Sequence, residues 1–473
     1  MMKINYKLLL ISLFLIGNEQ LLKAQEFLQV LSYTDYVRIV MAQHPVARQA
    51  QLLTQRAKAE LKRVKGANLD PTLNATWDTK QFDTKEYYDM FAAYVTIPTY
   101  WGVEFEGGYL RNEGYYLSTQ NKTPENGHAY LGVKVQLLQG LITNERRLAI
   151  EQARLLQGQN EQQLRLVLNE LLYQSTQEYW AWSAAYQELE LWKEALQLAE
   201  KRFEATKASY LAGDKPAIDT LEAFTSVLDR RIKLQEAEYL LLESQLDLSN
   251  YLWSIGQEPL QLAPNVRPDP LPEGVLLEKT NFDQLLARVS TQHPDLQLYQ
   301  IQLKSLELER KVKRNKLMPK LEVKYNFLAF DKVNFFETGA NAFAEQYKMG
   351  MKFSMPLFLR QATADIELNK IKIEETNYKI QQKQLEIRNK LNMYYALMQT
   401  YNTQMQMVEQ TLANYERLLE VEQQKFQMGE SSMFLVNSRE TKLIEARQKQ
   451  IAMAGKIAKA QASLAWASAA LQE

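Results

Sequence analysis

The stretch that decides the fold is residues 361–428, QATADIELNKIKIEETNYKIQQKQLEIRNKLNMYYALMQTYNTQMQMVEQTLANYERLLEVEQQKFQM, which contains neither glycine nor proline. Because an α-helix rises 1.5 Å per residue, an uninterrupted helix of this length extends for roughly 100 Å. Apolar residues recur every seven positions in two rows, which are Ile366, Ile373, Ile380, Ile387, Tyr394, Tyr401, Val408 and Tyr415, and Leu391, Met398, Met405, Leu412, Leu419 and Phe426. This spacing predicts a helix that packs lengthwise against other helices, as in a coiled coil.

The chain repeats this arrangement once. Gln-His-Pro occurs at 43–45 and at 292–294, and a long helix-like stretch ends at a glycine in both halves, at Gly213 and Gly429. Landmarks that recur in the same order indicate an internal duplication. The predicted organisation is a signal peptide at 1–24, a first repeat at 25–258, a proline-rich linker at 259–274 and a second repeat at 275–473.

Each repeat is predicted to run from a helix through a β-region into a long helix and a return helix. In the first repeat, the β-region covers about 71–138, the long helix 141–212 and the return helix 217–255. In the second, the corresponding segments are about 319–357, 361–428 and 430–472. A glycine that follows a helix is the expected left-handed cap, so both long helices should turn back at a glycine.

The predicted strands alternate apolar and polar residues with a period of two. Odd positions are apolar in Leu321–Phe327 and again from Tyr347 to Met355, and the residues between them are mostly polar. The first repeat adds a hairpin about Pro98, with strands at 93–97 and 103–105. Such a pattern gives each strand one apolar and one polar face.

The first residues predict export. Lys3 and Lys7 precede a run of nine apolar or small residues at 8–16, and Ala24 follows at a position suited to cleavage. A transmembrane anchor would need about 20 apolar residues, so the secretory signal is the favoured interpretation.

Composition argues against most enzyme classes. The chain has 56 basic and 56 acidic residues, no cysteine and three histidines. Zero formal charge gives no reason to expect a nucleic-acid partner, and the missing thiols exclude disulfides and cysteine-based metal sites. No phosphate-binding loop, zinc-protease motif or serine nucleophile motif is present, so we expect no enzyme, no cofactor and no metal site.

Strands of about ten residues with one apolar and one polar face suit a membrane-spanning barrel with a wet interior. A sheet packed on a soluble core is the alternative. Two or three hairpins are too few to close a barrel around a lumen, so several chains must contribute to one. The predicted fold class is therefore mainly α with a β-barrel portion, in which a shared transmembrane barrel continues into a long helical tunnel.

The duplicated His-Pro openings, the helix-to-strand junctions at Pro71 and Pro319, the strand-to-helix exits at 137–141 and 355–358 and the two tip glycines together resemble the TolC-type outer membrane factors. The resemblance covers about 31–471, and the sequence style is similar to members from Bacteroidetes. It implies a homotrimer with a 12-stranded barrel, four strands per chain, and a helical tunnel across the periplasm of a Gram-negative bacterium. The hairpin about Pro98 exceeds these four strands, and either an extracellular or rim element or an enlarged barrel would account for it. It also implies outer membrane lipid around the barrel, a periplasmic adaptor (membrane fusion) protein at the helical tips, and an inner-membrane RND, ABC or MFS transporter.

The same resemblance supplies the candidate site residues. Those at the adaptor-docking tips are Gly213, Asp214, Gly429 and Glu430, and the candidate tunnel gate consists of Asp219, Phe426, Leu435, Ser438 and Glu440. Glu430 and Glu440 are considered because they could place negative charge near the constriction, and the favoured alternative is that they are ordinary solvated helix carboxylates. Asp219 falls where the family has a linking aspartate. The positions of the family's carboxylate rings hold Leu435 and Ser438, so the family's gate chemistry does not transfer directly.

Two classes of function compete at this point. The first is the outer membrane channel of a tripartite efflux pump or type I secretion system, a passive exit duct. The alternative is a soluble periplasmic coiled-coil adaptor or structural interaction protein, which should carry a single helical hairpin flanked by segments rich in glycine and valine.

Overall fold

The computed structural model describes residues 30–263, 265–272, 278–329 and 346–471. The helices in this part are α1 (Tyr33–Gln43), α2 (Pro45–Leu69), α3 (Glu145–Leu211), α4 (Ala217–Ser249), α5 (Lys279–Gln292), α6 (Pro294–Asn315), α7 (Arg360–Gln427) and α8 (Met433–Ala467). The strands are β1 (Val30–Leu31), β2 (Thr72–Phe82), β3 (Lys85–Pro98), β4 (Val103–Glu113), β5 (His128–Leu138), β6 (Arg267–Pro268), β7 (Lys320–Ala329) and β8 (Tyr347–Ser354). The predicted signal peptide and the loop between β7 and β8 lie outside the described residues.

The chain forms two compact units. Of the described residues, a helical unit combines 30–51, those between 164 and 294, and 384–471, and a sheet unit combines 52–163, 295–329 and 346–383. Each unit takes segments from both predicted repeats, so this division does not test the predicted repeat boundary, which stays a prediction. Within the described residues, no helix is both long enough and apolar enough to cross a lipid bilayer.

The His-Pro sequences begin helices in both halves. Helix α1 ends at Gln43 and α2 begins at Pro45, and α5 and α6 meet in the same way around His293. Proline is well tolerated at a first helical position because its missing N–H has no intrahelical partner there, and it keeps the preceding residue extended. His44 and His293 accordingly cap the preceding helices in extended conformation.

The core of the helical unit is built around Tyr179 of α3, whose side chain is fully buried with Tyr36, Trp182 and Leu248. Its hydroxyl donates a hydrogen bond to the Leu31 carbonyl at 2.8 Å and accepts one from the backbone N–H of Asp269 at 2.9 Å. Burial raises the pKa of this hydroxyl, so it stays protonated. The bond network fixes β1 and β6, which pair in parallel. Part of the predicted linker is therefore held against the start of the described chain.

We expect a Tyr179→Phe variant to be less stable by about 1–3 kcal/mol, since the buried Leu31 carbonyl and Asp269 N–H each lose a partner. Denaturant unfolding of the purified protein followed by circular dichroism measures the loss. Tyr239→Phe is the control, because its side chain is 63% exposed, and it should change stability by less than about 0.5 kcal/mol. Equal effects of the two substitutions would contradict this account.

Each long helix is followed by an antiparallel return helix, α4 after α3 and α8 after α7. From the two heptad rows of α7, the residues buried are Ile387, Leu391, Met398, Val408 and Leu419. Leu419 packs with Val436 and Leu443 of α8. This burial follows the predicted seam, because positions three and four apart lie on one helix face. Coiled-coil packing itself stays a prediction.

The sheet unit contains one six-stranded antiparallel sheet in the order β2-β3-β4-β5-β7-β8. Its registers pair odd residues with odd residues, as in Leu73 with Val95, Phe105 with Val133, and Val323 with Met351. Side chains alternate between the two faces of a strand, so the odd positions of all six strands share one face. The exception is the outer end of β2, where an irregularity after Lys80 shifts the register.

The hairpin predicted about Pro98 is part of this sheet. Strands β3 and β4 join through a tight turn in which the Thr99 N–H donates to the Val103 carbonyl at 2.9 Å and Gly102 has a φ of +79°. The turn between β2 and β3 consists of Asp83 and Thr84, both with positive φ, as a type I′ hairpin requires. The described residues thus contribute six strands to this sheet, two more than the family resemblance implies.

Candidate functional site

The even-numbered face of the sheet carries paired charges. Lys134 lies 3.4 Å from Glu104 and 3.5 Å from Glu322, and Lys324 lies 2.9 Å from Glu106. Arg146, from the first turn of α3, adds a contact of 2.8 Å to Glu104. Both signs of charge line one surface, which is therefore suited to water and to solutes of mixed polarity.

The odd-numbered face is mostly apolar and uncovered, apart from the ion pair of Arg111 with Asp89 near its far end. Exposed fractions reach 75% for Leu73, 72% for Trp77, 64% for Met351 and 63% for Phe353. A contiguous apolar surface of this kind marks a membrane or protein interaction site. Two faces of opposite character, separated by one residue along every strand, are the arrangement of a barrel wall between lipid and water.

The helical tips have the same geometry twice. At Gly213 the N–H of Asp214 donates to the Ser209 carbonyl at 2.9 Å, and at Gly429 the N–H of Glu430 donates to the Lys425 carbonyl at 2.9 Å. The φ angles of the two glycines are +83° and +79°. Each tip is a Schellman motif, which ends a helix with a left-handed residue and satisfies its last carbonyls.

Gly429→Leu should destabilise the second tip by about 1–2 kcal/mol, since a side chain is strained at positive φ. A Cβ built on Gly429 meets no atom within 4 Å, so the cost is conformational and not a clash. Thermal unfolding measures it, and Gly429→Asn is the matched control because asparagine tolerates this conformation. A Gly429→Leu protein as stable as the Gly429→Asn protein would contradict the tip assignment.

The candidate gate residues lie in different surroundings. Asp219 is in the first turn of α4, and Lys215 Nζ lies 3.6 Å above the ring centroid of Phe426. Leu435 and Ser438 are exposed on α8. Glu440 is only 2% exposed and forms an ion pair with Arg202 of α3. Glu440 is therefore engaged in a contact within the chain. Leu435 and Ser438 are exposed, so their side chains can contact a neighbouring copy.

Sequence reasoning missed the residues that tie α8 to its neighbours. Arg202 binds Glu440 and also donates to Asn437 at 3.1 Å, and the buried Arg230 of α4 donates to Thr441 at 3.1 Å. Arginines on a charged helix carry no local signal that separates a buried partner from a solvated one.

Glu422 near the second tip is a further residue that the sequence did not single out. Its carboxylate accepts from the Ser431 hydroxyl at 2.6 Å and lies 3.5 Å from Arg439. The hydrogen bond from Ser431, with help from Arg439, lowers the pKa of this carboxyl. Glu422 therefore stays ionised and ties α7 to the turn that leads into α8.

Comparison with known protein families finds a match over residues 285–470 to the outer membrane efflux protein family. This segment belongs to that family. The resemblance to TolC-type outer membrane factors is thereby confirmed. The prediction of a source in Bacteroidetes stays a prediction. A search of curated proteins finds no significant match.

Solved structures of outer membrane proteins share the fold. The chain is similar to the open state of the Neisseria gonorrhoeae MtrE outer membrane channel, with a TM-score of 0.65 and 12% identity over 92% of this chain and 88% of that chain. It is similar to the outer membrane protein VceC from Vibrio cholerae, with a TM-score of 0.62 and 12% identity over 92% and 95% of the two chains. For the Campylobacter jejuni CmeC outer membrane channel, the TM-score is 0.59 and the identity 12%, over 92% and 85%. The predicted fold class is confirmed by this likeness.

Proposed function

We propose that this chain is the outer membrane channel of a tripartite efflux pump or type I secretion system. In this role it is a passive exit duct, in which solute enters at the helical end and leaves through a barrel shared by three copies. The observation that carries the proposal is the separation of faces in the sheet: most odd residues are apolar and exposed, and even residues carry the ion pairs of Lys134 and Lys324. The outer membrane efflux family, matched over 285–470, supports it.

The proposed assembly needs partners that supply energy. The tips at Gly213 and Gly429, with Asp214 and Glu430 beside them, are proposed to dock a periplasmic adaptor protein bound to an RND, ABC or MFS transporter. Exposed Schellman turns at both tips support this assignment, because they present similar surfaces from two halves of the chain. The gate is proposed to involve Asp219, Phe426, Leu435 and Ser438, with Glu440 in a supporting position.

A soluble periplasmic adaptor is the competing function. It is disfavoured because its surface would leave Leu73, Trp77, Met351 and Phe353 in water, each more than half exposed. Moving apolar surface out of water is favourable by about 25 cal/mol per Å², so such a face requires lipid or another protein.

Membrane fractionation tests the proposal. The full chain should be recovered from the outer membrane as a detergent-stable trimer, and deleting its gene should abolish export of a solute in cells that retain the adaptor and transporter. Recovery of the chain solely in the soluble periplasmic fraction would contradict the proposal.

A further inference from the structure

We propose that β2 and β8 join neighbouring copies edge to edge, so that three copies close a barrel of 18 strands. This inference rests on the proposed function, because it takes the number of copies from that assembly. The family resemblance implies 12 strands, four from each chain, and the chain described here places six in one sheet. The hairpin of β3 and β4 would then be part of the membrane wall.

The first argument is that β3 and β4 are integral to the sheet. Strand β3 is paired with β2 from Thr72 opposite Thr96 onward, and it is paired with β4 along its other side down to Pro98 opposite Glu104. Near Pro98 their odd positions continue the apolar face, with Val95, Ile97 and Phe105 between 36% and 50% exposed. Toward the other end of the two strands, Asp89 and Arg111 lie on this face and neutralise each other in an ion pair of 3.2 Å. A hairpin that projected from the rim would lack neighbours on both sides.

The second argument comes from the two edges. In the sheet order, β2 and β8 each have one neighbour, so a row of backbone N–H and C=O groups on each faces outward. Unpaired backbone groups cost several kcal/mol each in hydrocarbon, so a membrane sheet must pair its edges. The segment that pairs with each edge strand must itself be a strand of similar length, with its apolar residues on the same face of the sheet.

A second copy of this chain meets that requirement. Strand β2 leads away from α2 and β8 leads back toward α7, so the two edge strands run in opposite directions. Placing β8 of one copy beside β2 of the next therefore continues the antiparallel order. Both edges carry apolar residues at odd positions, so the outer face stays apolar across the junction when odd residues pair with odd residues.

The consequence for the channel is its width. Barrel diameter grows roughly linearly with strand number, so 18 strands give a barrel about 1.5 times as wide as 12, and barrels of 16–18 strands leave an aqueous lumen. The ion pairs of Glu104 and Glu106 would then line this wider lumen.

Engineered cysteines test the closure, because the natural chain has none and every crosslink must come from the introduced residues. Thr72 and Ser354 lie at the same end of the sheet, and aligning them places Ala75 opposite Met351. Directly opposed residues have Cα atoms about 4.5–5.5 Å apart, within reach of a disulfide. Met351→Cys is therefore combined with Leu73→Cys, Ala75→Cys or Trp77→Cys, which also covers a shift of two residues in either direction.

At least one of these three double variants should give a covalent trimer on a non-reducing denaturing gel. Met351→Cys with Thr76→Cys is the matched control, and it should crosslink far less because Thr76 lies on the other face. Val95→Cys and Thr96→Cys then locate the extra hairpin: a membrane-impermeant maleimide should label Thr96→Cys in the lumen several-fold faster than Val95→Cys in the lipid.

Two results would overturn the inference while leaving the proposed function in place. They are a detergent-stable trimer without crosslinks in any odd pair, and equal labelling of Val95→Cys and Thr96→Cys. A crosslinked ladder that stops at the dimer would indicate 12 strands from two chains and would contradict the three-copy barrel of the proposed function as well. If the wild-type chain were monomeric in detergent, the proposed function itself would fail.

Discussion

Cells producing a Met351→Arg variant should contain little assembled trimer in the outer membrane. Met351 lies in the middle of β8, opposite Val323 on the apolar face, and its side chain is 64% exposed in the single chain. An arginine on the lipid side of a barrel costs about 2–4 kcal/mol near the bilayer midplane. Three copies contribute one such residue each, so the cost to the assembly is about threefold larger.

The matched control for this variant is Gly350→Arg, which introduces the same side chain one residue away on the opposite face. A Cβ at Gly350 meets no atom within 4 Å, so the new side chain has room. Lys324 lies opposite but is bound to Glu106 at 2.9 Å, so repulsion should stay within about 1 kcal/mol. The amount of trimer on unheated gels of outer membrane fractions measures both variants. Equal and normal amounts would mean that the odd-numbered face does not meet lipid.

The second large effect is expected from Glu440→Ala in the helical unit. The carboxylate of Glu440 pairs with Arg202, the side chains of the two being 3% and 16% exposed, and the buried Arg230 donates to the neighbouring Thr441. Removing the carboxylate leaves two arginines in a poorly hydrated region. Breaking a buried pair by deleting one partner typically costs about 3–5 kcal/mol, and thermal unfolding in detergent should show a lowered midpoint.

Glu200→Ala provides the comparison for Glu440→Ala. Glu200 pairs with Arg231 at 2.8 Å, but the two side chains are 44% and 55% exposed. Exposed pairs contribute about 0–1 kcal/mol because water screens them. A double variant, Arg202→Met with Glu440→Met, should recover much of the loss, since replacing a whole buried pair by apolar residues is often close to neutral. A Glu440→Ala protein as stable as Glu200→Ala would show that the pair is not important for stability.

Much of the sheet could be anticipated because its signal is local. Alternation in Leu321–Phe327 and 347–355 placed the apolar face on odd residues, and the registers show that face shared by the six strands. The first half of β3 was missed, because Glu86, Tyr87, Tyr88 and Asp89 do not alternate. The turn at Asp83 and Thr84 was missed as well, since it lacks the glycine that usually marks a type I′ turn.

The candidate site was predictable at the tips and unpredictable at the ion pairs. Glycine is strongly favoured at 213 and 429, because each helix ends there in a left-handed residue and glycine adopts that conformation without a side-chain penalty. The role of Glu440 depends on Arg202, which lies 238 residues earlier in the chain. No periodicity within α8 distinguishes a carboxylate with such a partner from one that faces water.

The sequence by itself determined the long helices, their glycine turns and the two-faced strands, because each of these follows from backbone preferences and from periodicities over a few residues. The tertiary structure alone decided that β3 and β4 lie within the sheet and that Glu440 is buried against Arg202. Both outcomes depend on which distant segments become neighbours. Distant segments become neighbours when whole strands and helices pair. The free energy of that pairing arises only in the contact between two segments, so neither segment alone reveals it.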